Sequence, residues 1–323
     1  MGGPLRRLWR TGDRMIEPVT LDIALIARII HAQFPALDPV RARFLGEGCD
    51  SSAFEVNDVL VFRFPKRADV EEQLLTEARF LEALAASDPP VPIPVFQFHG
   101  MPTAEFPRHF SGYPKLPGRS AIDTDPRLSD PARLAPSLGR FLSWLHAFPA
   151  DEAIRLGVPD QRDDSVLKEI SAEALEGLDV VRQVSPDAPV SLWRAFLEHP
   201  PSSRTSPCFA VVHNDLAAEH VLVDPSSGSV TGIIDWTDVA VGDRAIDFAG
   251  MCHWGGAEFL ERVLSKYDGT IDDGLRERAT YVAACRGVLD VGFGVERNRP
   301  EYVNAGLRAI AMTIGPQRRQ VPR

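Results

Sequence analysis

Cysteine is scarce in this chain, with four residues among 323, at positions 49, 208, 252 and 285. Such scattered cysteines give no support to a disulfide framework or a zinc site, because both need paired spacings. The sequence also lacks an apolar run long enough to span a membrane. Its first 15 residues contain several arginines but no apolar block typical of a secretory signal. We therefore expect a cytoplasmic protein that does not contact a membrane.

No dense cluster of basic residues is present either, which argues against a nucleic-acid partner. The chain has 35 Lys and Arg against 45 Asp and Glu, a net charge of -10. This acidic balance favours a small cationic partner. With 44% hydrophobic residues the chain can bury a sizeable core, and its length suits two domains or two lobes that share a cleft.

The hydrophobic pattern predicts an α+β protein with two unequal lobes. Apolar residues recur at helical spacing over 21–34 and 69–85, and between these segments lie three short strand candidates at 43–48, 52–56 and 59–64. Beyond a segment rich in proline and glycine, the pattern becomes mainly helical. We predict a disordered tail at 1–18, an N-terminal nucleotide-binding lobe with an antiparallel sheet at 19–111, an interlobe connection at 112–118, and a larger, mainly helical catalytic lobe at 119–323.

Two carboxylates in the C-terminal half have the spacing of a phosphoryl-transfer site. The stretch from His213 to His220 follows a short apolar strand candidate and contains Asp215. A hairpin predicted over 221–234 then returns the chain, so Asp235 is expected to approach Asp215 and His220. Asp215 suits a base that orients and deprotonates a hydroxyl, while Asp235 and His220 suit Mg²⁺ ligands. Aspartates in loops are commonly solvated or capping residues, and Asp247 is expected to bond loop amides or cap a helix.

A second group of candidates lies in the N-terminal half. Gly48, with Ser51 and Ser52, can let backbone and hydroxyl groups approach a triphosphate. A basic residue follows at Arg63 on the next strand candidate, and an acidic one at Glu77 on the following helix. Arg63 would hold the inner phosphates while Glu77 fixes its direction. The alternative is an ordinary turn and an exposed ion pair.

These motifs together resemble the aminoglycoside phosphotransferase family, above all its 2''-phosphotransferases, with macrolide 2'-phosphotransferases close behind. The likeness covers about residues 21–314 and rests on segments 46–57, 61–66, 92–94, 110–118, 213–220 and 231–248. It implies a protein-kinase-like fold, ATP or GTP between the lobes, Asp215 as catalytic base, and Mg²⁺ held by His220 and Asp235. Lys115, within the fourth of these segments, is assigned to nucleotide binding.

One departure from the family pattern bears on the acceptor. The 2''-phosphotransferases tend to carry an acidic run shortly after the position of Asp247, whereas residues 250–258 contain the single acid Glu258. The leading hypothesis is a kinase that phosphorylates a hydroxyl of an aminoglycoside-like antibiotic. The alternatives are a macrolide or metabolite kinase, in which Trp254 and Phe259 line a more apolar pocket, and a nucleotide-binding module without transferase activity.

Overall fold

The computed structural model describes residues 21–315, apart from residue 49, residues 125, 126 and 128, residue 164 and residues 202–207. The predicted disordered tail at 1–18 lies outside these residues. Among the described helices, none is both long and apolar enough to cross a bilayer. Along the chain, a part built on a sheet is followed by a mostly helical part, as the hydrophobic pattern predicts.

The first part begins with helix α1 (Ile23–Gln33) and contains strands β1 (Ala42–Glu47), β2 (Ser51–Val56), β3 (Leu60–Pro65), β4 (Phe98–Gly100) and β5 (Phe110–Pro114), with helix α2 (Ala68–Ala85) between β3 and β4. These strands form one antiparallel sheet in the order β1-β2-β3-β5-β4. A carboxylate oxygen of Asp22 accepts a hydrogen bond from the Leu25 backbone N–H at 2.7 Å, which fixes the start of α1.

The two faces of this sheet differ in chemistry. Phe54, Phe62, Phe64 and Phe110 cluster with the buried isoleucines of α1, and the rings of Phe64 and Phe110 stack with centroids 4.6 Å apart. Because side chains alternate along a strand, the residues between these phenylalanines lie on the opposite face. That second face includes Arg63 and is the one that faces the rest of the molecule.

The first three residues of the predicted connection between the lobes, 112–114, lie in strand β5. Strand β5 continues through Pro114, and Gly112 pairs with Phe62 of β3. A Cβ at Gly112 would lie 2.6 Å from the Phe62 ring, so this glycine permits close packing inside the sheet. The prolines and glycines of this segment resemble a linker in sequence, but residues 112–114 belong to the sheet. Residues 115–118 then connect β5 to β6 of the second part.

The second part contains β6 (Arg119–Ser120), α3 (Pro131–His146), α4 (Ala150–Arg155), α5 (Ser165–Val184), α6 (Val190–Leu197), β7 (Phe209–Val212), β8 (Val221–Val223), β9 (Val230–Ile233), β10 (Ala240–Asp243), α7 (Ala245–Leu264), α8 (Leu275–Glu296) and α9 (Pro300–Ile314). Short 3₁₀ turns span Pro35–Leu37, Ala121–Asp123 and Ala218–His220. Strands β8 and β9 form the predicted hairpin, in which Val221 pairs with Ile233. Strand β7 pairs with β10. Asp215 lies in the loop just after β7, and Asp235 lies between β9 and β10.

Candidate active site

The loop after β7 is held in place by a buried carboxylate. Asp247 on α7 is fully buried and accepts hydrogen bonds from the backbone N–H groups of His213 at 3.0 Å and Asn214 at 2.8 Å. The Nε2–H of His146 donates to the same carboxylate at 3.1 Å. Burial would raise the pKa of Asp247, but its bond to His146 holds the pKa below its ordinary value. The expectation that Asp247 bonds loop amides is confirmed.

Asp215, His220 and Asp235 converge, as the loop and hairpin predict. His220 Nδ1 lies 3.7 Å from Asp215 Oδ2, and His220 Nε2 lies 3.6 Å from Asp235 Oδ2. Two residues have left-handed backbone conformations here, Asn214 with φ of 70° and Asp235 with φ of 62°. Asparagine and aspartate tolerate this conformation better than most residues, and strained backbone of this kind clusters at functional sites.

His213 connects the loop that carries Asp215 to the hairpin that carries Asp235. Its ring is buried, with Nε2 3.1 Å from the Ile234 carbonyl oxygen, and its Nδ1 accepts from the Asp215 backbone N–H at 3.4 Å. Burial lowers the pKa of His213, which keeps the ring neutral as this pairing requires. The His213 imidazole thus links the segment that carries Asp215 to the segment that carries Asp235.

The donor set at His220 and Asp235 fits a divalent cation. His220 Nδ1 lies 2.7 Å from the Asp215 carbonyl oxygen, so Nδ1 carries a hydrogen, and Nε2, which faces Asp235, is the nitrogen left to bind an ion. Within the described ranges no three His, Cys, Asp or Glu side chains group as metal ligands. Mg²⁺ commonly takes one or two protein ligands and completes its shell with phosphate oxygens and water.

Arg63 and Glu77 form the predicted pair, and it reaches across to Asp235. Arg63 Nη1 donates to both Glu77 carboxylate oxygens, at 2.7 and 3.0 Å. Arg63 Nη2 donates to Thr237 Oγ1 at 2.6 Å and to Asp235 Oδ1 at 3.3 Å. Burial acts to lower the pKa of Arg63, but Glu77 and Asp235 raise it above its ordinary value, so the guanidinium remains charged.

The side chains of the two predicted serines after Gly48 lie on opposite faces of the sheet. Ser51 shares the face of Arg63, whereas Ser52 pairs with Phe64 and lies on the phenylalanine face. Within the described part of the chain, the buried Ser51 hydroxyl has no hydrogen-bond partner. The Gly48 carbonyl oxygen accepts from Lys66 Nζ at 2.6 Å. Of the two predicted serines, Ser51 therefore has its hydroxyl on the face that includes Arg63, whereas the Ser52 side chain lies on the opposite face.

Lys115 lies apart from the other nucleotide-site candidates. Its ammonium pairs with the buried carboxylate of Glu55, which also accepts from Arg43 Nη2 at 2.6 Å. The hydrogen bond from Lys115 makes the largest contribution to the lowered pKa of the Glu55 carboxyl. Lys115 follows β5, and its backbone N–H donates to Val59 O at 2.8 Å, at the end of the sheet away from Arg63. The structure thus places Lys115 in a separate ion cluster.

A cavity of about 450 Å³ opens beside Asp215. Its lining includes four acids, Asp215, Glu219, Asp290 and Glu301; two arginines, Arg286 and Arg308; and the larger apolar or aromatic side chains Ile122, Trp254, Leu289, Tyr302 and Met312. Burial raises the pKa of Glu219 to about 7, while neighbouring His220 acts to lower it. The acids come from the loop and turn at residues 213–220 after β7, from α8 and from α9, rather than from residues 250–258. Trp254 lines the cavity, whereas Phe259 is buried behind it.

The sequence interpretation missed Arg286, although it lies beside Asp215. This side chain is buried on α8; its Nη2 donates to the Asn214 carbonyl oxygen, and its Nη1 lies 3.6 Å from Asp215 Oδ1. The available signal was an isolated arginine in the apolar stretch 281–289 of a buried helix, since a buried cation requires a partner. Thr237 was also missed, and its adjacency to Asp235 gave no signal of a bond to Arg63.

A small sheet-based lobe with an Arg–Glu pair, placed over two converging carboxylates in a larger helical lobe, defines a phosphoryl-transfer enzyme of the kinase type. The profile of the phosphotransferase enzyme family, APH, matches residues 41–281. The chain belongs to this family, and the predicted two-lobed, kinase-like α+β fold and phosphotransferase class are confirmed.

Two individual proteins are similar to this chain in sequence. The chain is 26% identical over 273 residues to the uncharacterized protein YcbJ of Bacillus subtilis, covering 78% of this chain and 83% of that protein. It is 40% identical over 82 residues to viomycin phosphotransferase of Streptomyces vinaceus, covering 25% of this chain and 27% of the relative.

Solved structures give the same fold. The GDP and kanamycin complex of APH(2'')-IIIa is similar with a TM-score of 0.68 and 26% identity, over 89% of this chain and 97% of that one. Macrolide 2'-phosphotransferase type I is similar with a TM-score of 0.60 and 24% identity, over 90% of this chain and 97% of that one. The second likeness supports the fold alone.

Proposed function

We propose that this phosphotransferase is a small-molecule kinase that transfers the terminal phosphoryl group of ATP or GTP to a hydroxyl of an aminoglycoside-like, cationic antibiotic. The observation that carries the proposal is the convergence of Asp215, His220 and Asp235 at the mouth of a cavity with several acids. The GDP and kanamycin complex of its structural neighbour supports the nucleotide and acceptor classes.

Asp215 is the proposed catalytic base. Its carboxylate is 39% exposed and lines the cavity, so it is accessible to an acceptor hydroxyl. As the hydroxyl oxygen bonds to the terminal phosphorus, Asp215 accepts the hydroxyl proton, and the bond from that phosphorus to the bridging oxygen breaks. The bridging oxygen leaves with the nucleoside diphosphate. The carboxylate also orients the hydroxyl before the transfer.

Arg63 is the proposed phosphate-binding cation, and Glu77 holds the guanidinium in one direction. The Ser51 hydroxyl lies on the same side of the sheet as Arg63. This hydroxyl and the backbone near Gly48 are proposed to bind further phosphate oxygens. Asp235 and His220 Nε2 would hold Mg²⁺, which when bound neutralises charge on the phosphate oxygens. Lys115 stays a candidate for contact with a more distant part of the nucleotide.

The cavity lining favours an acceptor that carries amines. Glu219 lies on the turn directly after Asp215, and Asp290 and Glu301 lie farther along the wall. Asp290 already pairs with His253 Nε2 at 2.8 Å, and Glu301 pairs with Arg299. Glu219 lies 3.9 Å from His220 Nε2, a longer contact than those of Asp290 and Glu301. We take Glu219 as the carboxylate best placed to meet an acceptor ammonium, which would favour its ionised form.

A macrolide or viomycin is the second candidate acceptor. The apolar side chains Trp254, Leu289 and Met312 occupy the same wall, and Arg286 and Arg308 reduce its negative charge. Such a lining suits a larger acceptor with fewer amines. The local similarity to viomycin phosphotransferase supports including viomycin among the compounds tested.

The acceptor can be decided by nucleoside diphosphate release with ATP and with GTP. Kanamycin, gentamicin, erythromycin, viomycin and small amino alcohols would be compared, with ³¹P NMR identifying the modified hydroxyl. We expect turnover with an aminoglycoside that depends on Mg²⁺. Turnover with erythromycin or viomycin alone would select the second candidate, whereas tight nucleotide binding without turnover of any acceptor would select a nucleotide-binding module.

Asp215→Asn tests the catalytic base. We expect turnover to fall by about two to four orders of magnitude, because a positioned base contributes about that much. Calorimetry should find nucleotide affinity nearly unchanged, since Asp215 faces the acceptor cavity. The matched control is Asp160→Asn, which changes an exposed aspartate paired with Arg162. Wild-type turnover in the Asp215 variant would remove this residue from the mechanism.

A further inference from the structure

Arg286 is a buried cation at the rear of the proposed catalytic base. It projects from the middle of α8, about 70 residues after the catalytic loop in sequence, and its side chain is 8% exposed. One guanidinium nitrogen donates to the Asn214 carbonyl oxygen, and another lies 3.6 Å from Asp215 Oδ1. The guanidinium therefore contacts both the carboxylate of the base and the peptide that precedes it.

The two oxygens of the Asp215 carboxylate face different neighbours. Oδ1 faces Arg286, and Oδ2 faces His220 Nδ1 at 3.7 Å. A carboxylate between two such groups on opposite sides has one preferred rotation about its side-chain bonds. In the described part of the chain, Asp215 is the carboxylate within ion-pair distance of Arg286, and the buried Arg286 Nε has no hydrogen-bond partner. The compensation for burying this cation thus depends on the catalytic loop.

The backbone of the loop makes the contact possible. Asn214 has φ of 70°, and its N–H donates to Asp247 Oδ1 at 2.8 Å while its Nδ2 donates to Asp238 O at 3.0 Å. These two bonds fix the orientation of the Asn214 peptide, and its carbonyl oxygen accepts from Arg286. Helix α8 is itself fixed, because Gly287 and Gly306 let it approach α9 at backbone contact.

We infer that Arg286 is a positioning residue for the proposed reaction: it holds the Asn214 carbonyl and the Asp215 carboxylate so that the base presents one fixed oxygen to the acceptor hydroxyl. This inference rests on the proposed function. Misplacement of a reacting group by about 1 Å can reduce turnover about a hundredfold, so the contribution of such a contact is measurable.

Arg286→Met removes both contacts while keeping a long apolar side chain. We expect kcat to fall by about tenfold to a hundredfold with the KM for nucleotide within about twofold of wild type. Arg286→Lys keeps the charge but loses the planar fork, so its kcat should lie between those of the wild type and of Arg286→Met. Arg276→Met is the control on the same helix, since Arg276 pairs with Glu261 at the surface. Its kcat should be unchanged.

A double-mutant cycle separates positioning from a general structural effect. If Arg286 acts through Asp215, Arg286→Met should change the residual rate of an Asp215→Asn enzyme by less than about twofold. The rates can be measured as magnesium-dependent hydrolysis of ATP or GTP, with water as acceptor, so the measurement does not require that the antibiotic acceptor be known. A full additional loss in the double variant would overturn the inference.

A crystal structure of the Arg286→Met protein, or of Arg286→Lys if the first variant does not fold, gives a result independent of turnover. We expect the Asp215 carboxylate to leave its wild-type rotamer or to occupy several. An unchanged, single Asp215 conformation would overturn the positioning role. Absence of turnover in the wild-type enzyme with every acceptor and with water would instead count against the proposed function, and the crystallographic comparison would still decide the role of Arg286.

Discussion

His220 is an unusual residue at the proposed site for Mg²⁺, because this ion prefers oxygen ligands. The hydrogen bond between its Nδ1 and the Asp215 carbonyl oxygen leaves only Nε2 for an ion. Burial acts to lower the pKa of His220, but Asp215, Asp235 and Glu219 together raise it to about 9. Without a cation the imidazolium itself neutralises the carboxylates. A bound divalent ion must therefore replace a proton.

This replacement predicts proton release on Mg²⁺ binding. Below about pH 9 the ring is protonated in the metal-free protein and neutral as a ligand, so affinity for Mg²⁺ should rise about tenfold per pH unit and level off above the pKa. Calorimetric titration near pH 8, with a saturating non-hydrolysable ATP analogue, would count released protons by comparing two buffers of different ionisation heat. We expect about one proton per ion.

His220→Asn is the matched variant, because asparagine offers an oxygen ligand without a titrating proton. It should bind Mg²⁺ with no proton release and with affinity nearly independent of pH above about pH 8. Equal proton release in the variant and the wild type would show that another group, and not His220, loses the proton.

At the scale of elements, two residues of α7 contact the loop that carries Asp215 and hold it in place. Asp247 binds the loop amides, and Gly250, one turn later, lies against the loop backbone. A Cβ at Gly250 would lie 1.7 Å from the Leu216 carbonyl oxygen, far inside contact distance. Because the obstacle is backbone and not a flexible side chain, either the helix or the loop must move to accommodate any other residue.

Gly250→Ala should therefore displace the loop next to Asp215. We expect stability to fall by about 1–3 kcal/mol from overpacking, despite a gain of about 1 kcal/mol in helix propensity. Turnover should fall about a hundredfold through misplacement of the base. Urea unfolding and steady-state kinetics would measure both effects. Gly242→Ala is the control, since its nearest neighbours would lie at an ordinary 3.6 Å; wild-type behaviour of both variants would contradict this account.

Elements near one another in sequence were predictable, and distant contacts were not. The loop after β7 and the β8–β9 hairpin bring Asp215, His220 and Asp235 together within 21 residues, and local turn chemistry suffices for that. The contact of Arg286 with Asp215, or of His146 with Asp247, depends on how α8 and α3 pack. A single buried arginine or histidine in a helical pattern does not identify its partner across such distances.

At the scale of the whole molecule, Arg63 joins the two lobes. It belongs to β3 in the sheet, yet it donates to Asp235 and Thr237 in the helical lobe while Glu77 holds it from α2. Sequence pattern predicted the Arg63–Glu77 pair, because the strand and helix are adjacent. The link to Asp235 could not be predicted, since it depends on the relative placement of the lobes. The Arg63 guanidinium thus belongs both to the proposed nucleotide site and to the connection between the lobes.

That sharing predicts a coupled loss of stability and nucleotide affinity in Arg63→Lys. A lysine keeps the charge but cannot donate at once to Glu77, Asp235 and Thr237, because it lacks the rigid fork. We expect a loss of about 1–3 kcal/mol in unfolding free energy and about a tenfold weaker affinity for the magnesium complex of ATP or GTP. Arg43→Lys is the control on the same face of the sheet, where the arginine is 65% exposed and pairs with Glu55, so its effect should stay below about 1 kcal/mol. Urea unfolding and calorimetry on both variants would test the prediction, and equal effects of the two substitutions would show that Arg63 contributes charge alone and does not join the lobes.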